Sequence, residues 1–294
     1  MSDAGLIWER TLEFFAFEYG FARNALIVSI LVGALCGFVG VFLVLRRLAL
    51  LGDATGHATL PGVVIAYMLL GNAEASWLLL GALGSALAAA LSVSLILRAG
   101  RPRSDSAIGV VLATYFGLGI VLLSYLQNRG SASQAGLTAF LIGNAAAVSP
   151  EQLVVIATAG AILVLGILAL YRPLSLSVFD PGYASTIGVP TGRIQTGLVI
   201  AVATTVVVSV QAVGAILVTA MLILPPSAAL LSQKRLARTL VVSTALGALS
   251  GAIGAYGSFV FEGFGTGPTM VLAAALLFVV CFARTQWRTW KVAT

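Results

Sequence analysis

Nine runs of mostly apolar residues, each close to the length that crosses a bilayer, dominate this chain: roughly 25–45, 53–71, 76–97, 107–126, 150–171, 194–211, 213–232, 238–260 and 267–283. About 20 such residues in a helix match the hydrocarbon thickness. Inside hydrocarbon every backbone amide and carbonyl needs an internal partner, so runs of this length form helices. Of 294 residues 60% are hydrophobic and 9% charged, whereas a soluble domain carries about a quarter charged residues. The sequence therefore predicts an all-α polytopic membrane protein of about nine spans, without room for a sizeable soluble domain. Only Gln211 and Gly214 separate the sixth and seventh runs, so eight spans is the alternative.

Charge sets the expected orientation. Arg46 and Arg47, then Arg98, Arg101 and Arg103, then Arg172 and Arg193, then Lys234, Arg235 and Arg238, then Arg284, Arg288 and Lys291 fall in alternate loops. That places 13 of the 16 Lys and Arg on one side, leaving Arg10, Arg23 and Arg129 on the other. By the positive-inside rule the N-terminus lies outside and the C-terminus in the cytoplasm, which requires an odd number of spans. Topology thus accounts for the net charge of +6, and nucleic acid is not an expected partner.

Three segments follow: an N-terminal interfacial segment over 1–24, a transmembrane domain over 25–284 and a short cytoplasmic tail over 285–294. Asp3, Glu9, Glu13 and Glu18 argue against a cleavable signal. Trp8, Leu12, Phe15 and Tyr19 fall at helical spacing, as in a helix lying at the membrane surface against lipid. A helix packed on the bundle is the alternative. Residues 128–149 read as an outer loop with a re-entrant or surface helix. Cys36 and Cys281 lie in apolar runs without CxxC spacing and read as small buried hydrophobes. Glycines 33, 37 and 40 on the first span, with 247, 251, 254 and 257 on the eighth, make small faces for close packing. Pro225 and Pro226 predict a break or kink in the seventh span, with gating as a second role.

One polar pair interrupts this pattern. Asp53 and His57, the single histidine, stand one helical turn apart and share a helix face. Such groups usually face a bundle interior or an aqueous path. Oxygen and nitrogen donors also form part of a coordination set for a divalent first-row metal. Two ligands do not close a site, so water, backbone carbonyls or a symmetry-related copy must complete it. The structural alternative makes Asp53 a helix cap and His57 a satisfied buried side chain.

No GxxxxGK[ST] loop, HExxH or GxSxG is present, so ATP use belongs to another chain and catalysis is not expected. Residues 175–195 form the longest basic-side loop, where Asp180-Pro181 reads as the start of a short helix stopped by Gly188.

These residues carry a resemblance. RRLALLGDATGHATLPGVVIAYMLLG (46–71) closely resembles the signature of the permease subunits of zinc, manganese and iron ABC importers, the ABC type 3 membrane family. Further similarity lies in AFLIGNAAAVSPEQL (139–153), SVFDPGYASTIGVPTGRI (177–194), VGAILVTAMLILPPSAALL (213–231) and, more faintly, YGSFVFEGFGTGPTMVL (256–272). The resemblance implies an all-helical permease, similar in bundle to the cobalamin and siderophore importers. It implies a dimer with a second copy or close homologue, a cytoplasmic ABC ATPase and an extracytoplasmic metal-binding protein as partners. Asp53 and His57 match the family's metal-contacting pair; Phe179, Asp180, Ala184 and Gly188 match its ATPase-coupling segment. Pro61 and Gly62 match the LPG after the histidine and are candidates for a gate or kink. Gly56 replaces the family's serine, and Glu262 stands near where a late aspartate is missing.

The expected function is import of Mn2+, Zn2+ or Fe2+ across the bacterial inner membrane by alternating access, the ion being cargo and no cofactor being permanently bound. The alternatives are a permease for a metal chelate such as a siderophore or cobalamin, and an ion-coupled secondary transporter.

Overall fold

The computed structural model describes residues 9–14, 20–71, 74–100, 103–128, 145, 148–261 and 264–293, and among them there is no strand. The elements are α1 (Gly20–Leu45), α2 (Leu50–Leu70), α3 (Ala75–Arg98), α4 (Ser104–Gln127), α5 (Pro150–Ala169), α6 (Tyr171–Phe179), α7 (Pro181–Thr186), α8 (Thr191–Val213), α9 (Ala215–Ser232), α10 (Leu236–Val260) and α11 (Thr266–Ala293). Among the described residues a long helix lies at each of the nine apolar runs. By length and composition seven among the described residues can cross a membrane. The other two are α2, which carries the polar pair, and the short α9.

Local chemistry sets the ends. Ser149 caps α5 in a capping box: its hydroxyl accepts from the Gln152 amide, and the Gln152 side chain accepts from the Ser149 amide. Gly71 ends α2 in the left-handed region at φ 69°, its amide donating to the Tyr67 carbonyl. Several ends differ from the expected ones. The helix of the first span already includes Gly20, ahead of residue 25, α6 forms a separate helix after the fifth span, and α11 remains helical to Ala293.

Helix α1 is the post around which the bundle packs, and its longest contact is with α10. The predicted small faces meet there. A Cβ on Gly33 would run into the Gly247 carbonyl, one on Gly37 into Ser243 and one on Gly251 into Ser29. The Ser243 hydroxyl donates to the Gly37 carbonyl. Lipid chains are as apolar as leucine, so dispersion from this close approach, more than hydrophobic burial, holds such helices together. A second glycine contact, Gly62 against Gly81, joins α2 to α3.

Of the break or kink expected at Pro225–Pro226, a break is absent: α9 continues through both residues to Ser232. Each proline removes an amide, which frees the carbonyl four residues back, at Met221 and Leu222. The Leu222 carbonyl meets Gly40 of α1, where a Cβ would not fit. Packing by the neighbour explains why the prolines are tolerated.

Residues 9–14 are helical and lie on the end of α10. Phe14 is buried, with its ring edge on Tyr256 at 5.5 Å, and Arg10 donates to the Val260 carbonyl. Leu12 of the same stretch is exposed. Trp8, Phe15 and Tyr19 of the aromatic stripe, most of the 128–149 loop and Glu262 lie outside the described residues.

Replacing Gly37 or Gly247 by leucine should cost about 1–3 kcal/mol or more through overpacking, lowering the thermal midpoint in detergent. Gly84, where a Cβ meets nothing within 4 Å, should accept alanine without loss.

Candidate functional site

Asp53 and His57 lie in the first two turns of α2. Ala49, not Asp53, occupies the N-cap position and makes no side-chain cap bond, which removes the capping explanation for Asp53. As an acidic group in the first turn, Asp53 still benefits from the helix dipole. Its Oδ1 stands 3.4 Å from His57 Nε2. That spacing is long for a hydrogen bond. It agrees with two ligands of one ion, since bonds of about 2.1 Å at 90–110° put the donor atoms roughly 3.0–3.4 Å apart.

The pair is neither sealed nor free. His57 keeps 27% and Asp53 34% of its side-chain surface accessible. The His57 ring packs edge-on against Phe116 of α4, with centroids 4.8 Å apart. The opposite side of α2 is built for contact. Gly52 faces Thr219 and Leu222, and a Cβ on Gly56 would sit 3.0 Å from the Ala215 carbonyl. Thr55 and Thr59 turn their hydroxyls back to helix carbonyls, at Leu51 and Gly56. Small and self-satisfied residues thus press α2 onto α9, and the polar pair is left on the open side.

Pro61 lies inside α2 and takes away the amide that would bond to the His57 carbonyl. Gly119 of α4 accommodates the resulting surface, since a Cβ there would stand 3.0 Å from Pro61 Cδ. Among the described residues no third His, Cys, Asp or Glu joins the pair.

The short helix expected after Asp180-Pro181 is present as α7. Asp180 caps α7, its Oδ1 accepting from the Tyr183 amide at 2.8 Å, and Pro181 occupies the first turn. Gly188 stops the segment in the left-handed region at φ 82°. Ala184 is fully buried, whereas Phe179, Tyr183 and Ile187 are all more than half exposed. Phe179 at the end of α6, Tyr183 in α7 and Ile187 just after it together leave an exposed apolar patch around α7.

Sequence reasoning did not find Phe116, which carries no polar signal in an apolar run. Nor did it find the polar contacts that hold the segment. Arg46 Nη2 donates to Ser177 Oγ of α6 at 2.7 Å, and Arg98 Nη2 donates to Thr196 Oγ1 of α8 at 2.8 Å.

Comparison with known proteins places this geometry among transport proteins. The family model described as the ABC 3 transport family matches residues 18–285. The manganese transport system membrane protein MntC of Bacillus subtilis (strain 168) is 37% identical over 251 residues, covering 85% of this chain but 58% of that protein. The zinc transport system membrane protein TroC of Treponema pallidum (strain Nichols) is 35% identical over 250 residues, 85% of this chain and 84% of its own. Among solved structures, PsaBC from Streptococcus pneumoniae in complex with Fab matches with a TM-score of 0.80 and 32% identity, covering 92% of this chain and 95% of that one.

Asp180→Ala should weaken the α7 cap by about 1 kcal/mol. Hydrogen exchange at the Tyr183 amide should then speed up about fivefold.

Proposed function

We propose a function from one premise: the chain belongs to the ABC 3 transport family. It is the membrane-embedded, non-enzymatic subunit of an ATP-driven importer, and its cargo is a divalent transition-metal ion. Mn2+ and Zn2+ are the first candidates, because the similar proteins named above are manganese and zinc transport subunits. Fe2+ accepts the same oxygen and nitrogen donors. The protein sits in the bacterial inner membrane with nine spans, its N-terminus outside and its basic loops in the cytoplasm.

The observation that carries this reading is the Asp53–His57 pair on the open side of α2, with two donor atoms 3.4 Å apart. Two ligands from each of two copies of this chain would complete a four-donor site on a shared axis. Such a site is open and transient, suited to an ion that must leave again. Phe116 shields one side, and Pro61 leaves the His57 carbonyl as a further oxygen close by.

A cytoplasmic ABC ATPase docks on the exposed Phe179, Tyr183 and Ile187, in and beside α7, and an extracytoplasmic binding protein delivers the ion from the other side. Closure of the two ATPases on ATP displaces α7 and turns the site towards alternate sides of the membrane. The chelate alternative is less well served: a siderophore needs a wide path and little direct metal chemistry, whereas a bare ion uses a carboxylate and an imidazole.

Uptake of radioactive Mn2+ and Zn2+ in proteoliposomes holding the assembled importer tests this. Asp53→Ala and His57→Ala should each lower uptake by at least on the order of tenfold, with assembly intact on gel filtration. Undiminished uptake in both variants would dismiss the pair as the site.

A further inference from the structure

We propose that Arg46 and Arg98 clamp the two ends of the coupling segment to the helices flanking α2, so that displacement of α7 reaches the Asp53–His57 helix as one rigid movement. The inference rests on the transport reading above and goes beyond it by naming the residues that link drive to site.

The first clamp lies ahead of α7. Arg46 sits in the turn after α1, and its Nη2 donates to the hydroxyl of Ser177, which is fully buried. Ser177 precedes Asp180, the cap of α7, by three residues. The turn from Arg46 to α2 has little slack. The Leu48 amide donates to the Leu43 carbonyl at 3.0 Å, the Leu51 amide donates to the Leu48 carbonyl at 2.8 Å, and Leu48 is buried. A push on α6 therefore passes through a charge-assisted hydrogen bond into the first turn of α2.

The second clamp lies after α7. Arg98, at the end of α3, donates through Nη2 to the Gly192 carbonyl at 3.1 Å and to the Thr196 hydroxyl at 2.8 Å. Thr196 also shares a 2.6 Å bond with Ser94 of α3 and donates to the Gly192 carbonyl. These contacts fix the start of α8 to α3, and α3 packs along α2 through Gly62 and Gly81. The segment between the clamps, α7, is the exposed part.

The two clamps are unequal. Arg98 is exposed, so water competes for its bonds. Arg46 is half-buried, burial draws its guanidinium below the ordinary arginine value, and its Nε is buried with no hydrogen-bond partner. A buried donor without an acceptor is costly. Water competes less for the half-buried Arg46 bond than for those of Arg98, which makes Arg46 the stronger of the two clamps.

The test measures Mn2+ uptake and ATP hydrolysis on the same proteoliposomes of the full complex. Arg46→Gln is expected to lower ions moved per ATP about tenfold, and Arg98→Gln about threefold. Arg46→Lys, which keeps a charged donor, should restore part of the ratio. Ser177→Ala should lower it, and the double variant should fall no further than Arg46→Gln alone. An unchanged ratio in Arg46→Gln, or additive losses in the double variant, overturns the proposal. A purely structural role would lower uptake and hydrolysis together and leave the ratio unchanged.

A second measurement does not depend on transport. Spin labels at Leu50→Cys and Ile187→Cys, both exposed positions, in a Cys281→Ser background should keep one distance with and without ATP. Arg46→Gln should broaden that distance; an equally narrow distribution contradicts the clamp. If Mn2+ does not enter vesicles carrying the unaltered chain, the transport reading falls while this distance still judges the clamp.

Discussion

Backbone-to-backbone contact between α1 and α10 is the constraint on which the bundle depends. Gly33 and Gly37 of one helix meet Gly247 and Ser243 of the other so closely that no side chain fits between them. In lipid such contact must come from small residues, because exposed leucines gain nothing by leaving a solvent as apolar as themselves. With α1 fixed as a buried post, α9 is held through Gly40, and α2 is positioned against α9 through Gly52 and Gly56. The orientation of α2, and so the direction in which Asp53 and His57 point, follows from that chain of contacts.

Helix α2 is consequently two-faced. Its inner side is small and self-satisfied, with glycines for close approach and threonines bonded to their own helix. Its open side carries the carboxylate and the imidazole, partly accessible and edged by Phe116. A buried charge pair would suffer desolvation without any use. A half-accessible pair keeps its ligand atoms available, at some cost in stability. The geometry accords with brief residence of an ion rather than with a structural metal centre.

Much of this was legible in the sequence, for physical reasons. Hydrocarbon permits few backbone forms, so run length alone located the long helices among the described residues. Asp180-Pro181 and Gly188 marked α7 because capping and left-handed backbone are local chemistry. The glycines announced close packing, although their pairing required the fold. Other features depended on remote partners. Arg46 and Ser177 are 131 residues apart, and Arg98 and Thr196 are 98 apart, so neither clamp has a local signature. The continuity of α9 through its prolines also depends on a remote partner: a local rule predicts a break or a kink, while Gly40 on another helix gives the freed carbonyl a close neighbour. His57 against Phe116 was equally hidden, being a contact between two ordinary helix faces.

In the proposed site one ion is held between two copies of the chain by a carboxylate and an imidazole from each. Pulsed electron paramagnetic resonance on Mn2+ trapped in the assembled importer tests that arrangement. Nitrogen coupling from two equivalent imidazoles per ion, one from each His57, is expected. An ion bound by oxygen alone, or by a single nitrogen, would contradict it.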